Sequence, residues 1–290
     1  MRVVTHNDGF HADDVFAMAT LNIFFGSKIT EVIRTRDEDI IESADIVFDV
    51  GGMYDESKNR FDHHQKEDSG RRENNVPYAA FGLVWKKWGK EICLSQEVAD
   101  IVDSKLIQSV DASDNGYSFF EYTQDDIEMY SLNTVVRSFC STWKEVDNYD
   151  ETFLEVVKIA QKILEREIKI AQDKIEAIPL VQKAYDDAED KRLIVLDEYY
   201  PWGSVLSDHE EVLFVISPNK LKTMWRINAV QSTSFVNRKD LPTKWAGLRD
   251  TELEKVSGVL GAVFCHRNLF MAATCSKDSA LLLAKKALES

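Results

Sequence analysis

The sequence predicts an α/β fold: a mainly parallel sheet flanked by helices in the N-terminal part, followed by a smaller C-terminal α/β domain. Three observations predict it. Apolar runs of strand length alternate with stretches whose apolar residues recur at helical spacing, the pattern of a sheet covered on both faces. Clusters of His and Asp follow these runs, and in such sheets ligands bind beyond the carboxyl ends of the strands. The chain of 290 residues is 44% hydrophobic and 10% aromatic, enough for two domains with buried cores.

Residues 2–5 read as a short buried strand and 6–9 as the loop after it. Over 12–25, Val15, Phe16, Met18, Ala19, Leu21 and Phe25 keep helical spacing, and Gly26 stops the helix. Residues 31–34 and 45–50 are further strands, the latter ended by Gly51-Gly52, and 59–61 is a brief fourth. A helical stretch over 98–110 delivers Asp111 and Asp114 into the turn Asn115-Gly116. The longest helical pattern covers 151–178, with Leu154, Val157, Ala160, Ile163, Leu164, Ile168 and Ala171 on one face. Pro179 is expected to end it, because proline has no N–H to donate. A charged linker over 186–191 leads to strand candidates at 193–196, 212–216, 223–230, 262–265 and 269–272, then a helix over 278–288. The expected organisation is a domain over 1–150, a connecting helix over 151–185 and a C-terminal domain over 186–290.

The net charge of −15 makes the chain a poor general binder of nucleic acid. The charge is uneven, about −14 over 1–185 and about −1 over 186–290. Part of the excess lies in the His/Asp clusters, where bound cations would offset it. No apolar run approaches the ~20 residues of a membrane span, and MRVVTHNDGF carries no targeting signal, so the expectation is a cytoplasmic protein. Cys93, Cys140, Cys265 and Cys275 form no CxxC pair, which excludes a thiolate zinc site and reads as four buried free thiols.

Four of the six His residues fall in two clusters, His6–His11–Asp13 and Asp62–His63–His64. Asp49 ends an apolar strand, and Asp111–Asp114 completes the set. A carboxylate at a helix start can be a simple cap, which is the plain reading of Asp13 and Asp14 taken alone. Asp49 alone reads as a turn residue before Gly-Gly. Two imidazoles and an acid on one strand-to-helix turn, with an Asp-His-His triplet downstream, shift the balance towards metal binding. Within that triplet one imidazole can ligate while the other donates to a substrate oxygen, and Asp62 can orient a ring. Asp111 is the favoured ligand of its pair, with Asp114 held open. Imidazole and carboxylate without thiol suit Mn²⁺, with Mg²⁺ as the alternative, and two adjacent ions suit phosphoester hydrolysis.

In this order, THNDGFHADD, TRDEDI, DIVFDVGGMYD, NRFDHHQ and VDASDNG resemble the DHH phosphoesterase superfamily, and more closely the MYG1 family of metal-dependent exonucleases. The resemblance continues through WRINAV, LPTKWAGLRD and VSGVLGAVFCH. It implies a DHH-type domain holding two metals and a C-terminal substrate-binding domain. It implies metal ligation by His6, His11, Asp13, Asp49, His63 and Asp111, with Asp49 bridging both ions. It implies a catalytic group of Asp49, Asp62 and His64, with His64 facing phosphate, and substrate contacts from Asp114, Arg226, Arg249 and His266. Two positions depart from the family pattern: Ala272-Ala273 stands where a Gly-Gly pair is usual, and Tyr78-Ala79-Ala80-Phe81 where the family is Ser-rich.

The expected function is a two-metal phosphodiesterase, a 3′→5′ exonuclease acting on RNA. The alternatives are a phosphohydrolase for pyrophosphate or short oligonucleotides, and a non-catalytic metal-binding scaffold. Residues 220–249 are the candidate nucleic-acid track. Lys220, Lys222, Arg226, Arg238, Lys239, Lys244 and Arg249 stand there against one acid, Asp240, interleaved with Trp225, Phe235 and Trp245.

Overall fold

The computed structural model describes residues 1–66, 68–117, 120, 127, 129–146, 148–233 and 236–290. The chain divides into two compact units, Met1–Gln172 and Asp173–Ser290.

The first unit is built on a five-stranded sheet. Its strands are β1 (Arg2–Thr5), β2 (Glu31–Arg34), β3 (Ile46–Phe48), β4 (Tyr54–Asp55) and β5 (Arg60–Phe61), in the order β2-β1-β3-β5-β4. Every pairing is parallel except that of β4 with β5. β1 is apolar because it lies between two strands, and β3 is fully buried. The helices are α1 (Ala12–Phe25), α2 (Glu38–Ser43), α3 (Ala80–Cys93), α4 (Gln96–Val102), α5 (Gln108–Asp114), α6 (Leu132–Arg137) and α7 (Tyr149–Asp187). α1 packs against α3, where Phe16 and Phe81 meet with ring centroids 5.4 Å apart and both side chains fully buried. Each such ring contributes about 1.5–3 kcal/mol by leaving water.

The mixed α/β class and mainly parallel first sheet match the sequence reading. α2, α3, α6 and β4 are elements that the periodicity did not reveal. Pro179 does not end the long helix, since α7 continues to Asp187 with Pro179 inside it. The missing N–H costs about 3 kcal/mol. The residues on either side of it offset this: Val181 is fully buried in an apolar cluster, and Ile178, Ala184 and Tyr185 pack against that cluster. The acids that begin the expected linker are therefore the end of a helix. Asp111 stands inside α5 rather than in the turn after a helix, because α4 runs through a π-helical stretch, Asp103–Ile107, into α5.

The second unit holds the sheet β11-β12-β8-β7-β6. Its elements are β6 (Leu193–Val195), α8 (Gly203–Leu206), β7 (Phe214–Pro218), β8 (Trp225–Ala229), the ribbon of β9 (Gln231–Thr233) and β10 (Val236–Asn237), α9 (Asp250–Ser257), β11 (Ala262–Cys265), β12 (Met271–Thr274) and α10 (Lys277–Glu289). One face of the sheet closes over Phe214, Ile216, Ile227, Trp245, Leu253 and Leu283. Cys93 and Cys265 are buried and Cys140 half-buried. Cys275 is exposed, contrary to the expectation of four buried thiols, because it begins the turn after β12. Among the described residues no helix is long and apolar enough to cross a membrane.

Candidate metal centre

The parallel pairing of β1, β3 and β5 brings three carboxyl ends side by side, so His6, Asp49 and Asp62 emerge at one edge. Asp49 adopts φ 55°, a left-handed conformation that a non-glycine residue holds at a cost of about 1–3 kcal/mol. Its N–H donates to Phe61 O at 3.1 Å. Gly52 follows at φ 64°, and its N–H donates to Asp62 Oδ2 at 2.6 Å.

Asp49 is almost wholly buried and divides its oxygens between two groups. Oδ2 faces His6 Nε2 at 3.3 Å and His11 Nε2 at 3.5 Å. Oδ1 faces His63 Nε2 at 3.4 Å and His64 Nδ1 at 3.7 Å. Asp14 Oδ2 lies 3.2 Å from His6 Nε2 on the first side. Asp114 bridges the two, with Oδ1 3.2 Å from His11 Nδ1 and Oδ2 3.1 Å from His63 Nε2. Among the described residues three sets of possible ligand atoms result: His6, His11, Asp14 and Asp49; Asp49, His63 and His64; and Asp13, His63 and Asp114. Within each set the atoms lie inside 4.8 Å of one another.

These residues fit a metal centre on their own geometry. His6 Nε2, His11 Nδ1, Asp14 Oδ2, His63 Nε2 and both Asp49 oxygens are buried and have no hydrogen-bond partner. Buried polar atoms are normally satisfied, and leaving one unpaired costs about 1–3 kcal/mol. Here the unsatisfied atoms face one another, and their chemistry is that of a hard or borderline divalent cation. Without a cation, protons carry the compensating charge. Burial opposes a charged His6, but Asp14 and Asp49 prevail and raise its pKa to about 10. Burial opposes a charged His63 too, and Asp114 and Asp49 raise it to about 11. Burial pushes Asp49 up, but His6 and His63 outweigh it and hold the carboxyl well below its usual range. Asp13 is pushed up by burial and by the charges of Asp114 and Asp49.

The N-terminus of α3 holds two further carboxylates. Ala80 and Phe81 donate their N–H groups to Asp13 at 2.9 and 2.7 Å, and Gly82 donates to Asp111 Oδ1 at 3.0 Å. Asp111 is fully buried, and its second oxygen meets Arg72 Nη2 at 2.8 Å. A Cβ on Gly82 would stand 1.9 Å from that oxygen, so α3 can receive Asp111 only with glycine here. The residue order Tyr78-Ala79-Ala80-Phe81-Gly82 thus serves as a helix start that accepts two acids.

The structure brings together His6, His11, Asp13, Asp49, His63, His64 and Asp114. It sets Asp111 in a separate arrangement with Arg72 and Gly82, and it adds Asp14. Asp62 lies behind the rings, with Oδ1 2.7 Å from His64 Nδ1. Asp14 went unread because its position three residues after His11 has a plain capping explanation, and it does accept His11 N–H at 2.9 Å. Arg72 gave no signal, since it lies in a polar loop far from any motif.

The chain matches the MYG1 exonuclease family, described as an uncharacterised protein family (UPF0160), over residues 2–288. It belongs to that family. It is 30% identical to a MYG1 protein of Caenorhabditis elegans, over 98% of this chain and 94% of that one. It is 30% identical to a MYG1 protein of Schizosaccharomyces pombe, over 100% and 98%. It is 29% identical to a human protein named MYG1 exonuclease, over 99% and 85%. No solved structure matches it.

In this MYG1-family chain the residues expected to touch substrate lie in the second unit, apart from Asp114. Arg226 pairs with Ala273, and Ala273 with Phe264, so the three form a row on one face of the sheet. The Arg249 guanidinium lies 4.5 Å over the Phe264 ring, and the His266 ring lies tilted by 46° against Phe270 with centroids 4.3 Å apart. Much of the expected basic track is engaged elsewhere. Arg238 donates to the carbonyls of Ser207, His209 and Val212. Lys239 donates to Leu288 O and Ser290 O, and Lys222 pairs with Glu198. Trp245 is core, and Phe235 lies outside the described residues.

Proposed function

We propose that this chain is a two-metal phosphodiesterase of the DHH kind, a 3′→5′ exonuclease acting on RNA. The observation that carries the reading is Asp49: two buried oxygens without hydrogen bonds, each facing its own pair of imidazoles. A carboxylate placed this way is suited to serve two cations. His6, His11, Asp14 and Asp49 would hold one, and Asp13, Asp49, His63 and Asp114 the other, with Mn²⁺ the expected ion. Bound divalent ions lower the pKa of water and offset charge on phosphoryl oxygens. The names of the mammalian relatives support nuclease chemistry.

His64 is the group assigned to the phosphate. Its side chain is 60% exposed, unlike that of His63 at 6%. Asp62 Oδ1 accepts from its Nδ1–H, and Asp62 is itself tied by the N–H groups of Gly52, His63 and His64. This raises the His64 pKa, chiefly through the Asp62 hydrogen bond. This hydrogen bond favours the charged ring and aims it, leaving Nε2 to donate to a phosphoryl oxygen as its charge grows.

A second reading, hydrolysis of short oligonucleotides or pyrophosphate, is favoured by the fate of the basic residues. With Arg238, Lys239 and Lys222 engaged in internal contacts, Arg226, Arg249, Lys220 and Lys244 are what the track still offers a substrate strand. Incubation of the purified protein and Mn²⁺ with end-labelled RNA, DNA, short oligonucleotides and pyrophosphate in parallel tests both. Stepwise loss of 3′ nucleotides from long RNA supports the first reading. Cleavage confined to short substrates supports the second, and hydrolysis of none of them rejects both.

A further inference from the structure

The imidazoles on the two sides of Asp49 must each present Nε2 with its lone pair to a cation. A neutral imidazole does so only when its proton stays on Nδ1, and the partner of Nδ1 decides that. For His6 the partner is a main-chain carbonyl, Asn7 O at 2.9 Å. For His63 it is a side chain, Asn115, whose Oδ1 lies 3.4 Å from Nδ1.

Amide oxygen and nitrogen are told apart by their neighbours. The Asn115 Nδ2 position lies 2.9 Å from Asp111 O and 3.2 Å from Tyr78 O. Both are carbonyl oxygens, which can only accept, so the atom between them is the NH₂ group. The atom towards His63 is then the oxygen, and it requires an N–H from Nδ1. The main chain adds to this, because Asn115 N–H donates to Asp111 O at 3.0 Å and closes α5.

We infer that Asn115 is a positioning residue that holds the His63 ring with Nδ1–H turned outward and Nε2 turned towards Asp49 and Asp114. This rests on the two-metal reading and adds a residue to it. It also ties the two polar clusters together: the segment bearing Asp114 sets the ring carried by the Asp-His-His triplet. Asn115 is exposed, so replacing it leaves the core intact.

The experiment uses Zn²⁺ as a diamagnetic probe, with chelator competition on the full chain, two Asn115 variants and one His63 variant. Asn115→Leu removes the acceptor and the amide donors. Asn115→Asp keeps an acceptor for His63 but sets its other oxygen against the carbonyls of Asp111 and Tyr78. His63→Ala identifies which binding phase depends on that ring. In Asn115→Leu this phase is expected to weaken about 10–100-fold, as for loss of other groups that orient a ligand, while the other phase is unchanged. Asn115→Asp is expected to keep the affinity while lowering the melting temperature of the metal-free protein, which separates orientation from simple structural support. Equal weakening in both variants, weakening of both phases, or no weakening in Asn115→Leu would overturn the role of Asn115 and leave the metal reading standing. A wild-type chain that takes up no Zn²⁺ overturns the metal reading and this inference with it.

Discussion

Arg72 Nη2 and Asp111 Oδ2 stand 2.8 Å apart beneath the candidate centre, and both side chains are buried. Arg72 also forks onto Asp103, with Nη2 2.6 Å from Oδ1, and lies 4.1 Å over the Tyr78 ring. Asp111 is therefore matched by an arginine, while Asp114 faces the rings of His11 and His63.

This pair makes a first prediction. Arg72→Met leaves a buried carboxylate with no counter-charge, and breaking a buried pair in this way costs about 3–5 kcal/mol. Urea unfolding of the metal-free protein reads the loss. Asp111→Asn is expected to act mainly on stability and Asp114→Asn mainly on metal content. The reverse pattern would return the ligand role to Asp111.

Gly82 supplies a second. A methyl group there would meet Asp111 Oδ2 at 1.9 Å and Arg72 Nη2 at 2.8 Å. Gly82→Ala should cost at least about 1–3 kcal/mol, as overpacking of a filled site does. Calorimetry would show it, and an unchanged melting temperature would mean that the acid and arginine have room to separate.

The division of roles among the catalytic groups gives a third. Asp49→Asn should lower metal content more than any other single change, since both its oxygens are in use. His63→Ala should also lose metal. His64→Ala should keep it and slow turnover by about 10²–10³-fold, the usual loss for one charge-stabilising donor. Metal analysis beside rate measurement separates these, and equal metal loss in both His variants would make both rings ligands.

The raised pKa values of His6 and His63 set a pH dependence. At neutral pH the metal-free protein holds protons on these rings, so cation binding must expel them. Titration calorimetry in buffers of different ionisation enthalpy should show proton release, and affinity should rise with pH. Stability without metal runs the other way. A folded pKa near 10–11 against an ordinary 6.5 stabilises fully below pH 6.5 and is lost as pH rises through 10–11. The lowered Asp49 adds stability above its ordinary 3.8 that disappears as acid protonates it. Unfolding of chelator-treated protein that is more stable at pH 10 than at pH 6.5 would contradict these ion pairs.

A last prediction concerns the second unit. Arg226→Glu with Arg249→Glu should weaken RNA binding and flatten its salt dependence, because fewer counterions are released. Metal content and cleavage of a small phosphodiester should stay unchanged. Normal degradation of long RNA by the double variant would place the strand elsewhere.

Residues 2–5, 12–25 and 31–34 were legible as they stand, because each is a run of one periodicity that gives way to polar residues or, after 12–25, to Gly26. His6, Asp49 and Asp62-His63-His64 were legible too, since parallel strands put every carboxyl end at one edge and motif order alone predicts that they meet. Pro179 misled, because its local cost is certain while the burial of Val181 that offsets it depends on a distant sheet. α3 went unread although its apolar face is strong. Its use as an anchor for Asp13 and Asp111 depends on amides, which every residue has and no composition reveals. Chain order alone tells which residue types are available for a metal site and roughly where each strand delivers them. Packing in the folded chain sets the rest: Asp111 turns to Arg72, Asp14 and Asp114 turn to the imidazoles, and Asn115 meets His63. Those choices follow from contacts between residues as far apart in the chain as His11 and Asp114, and no local pattern carries them.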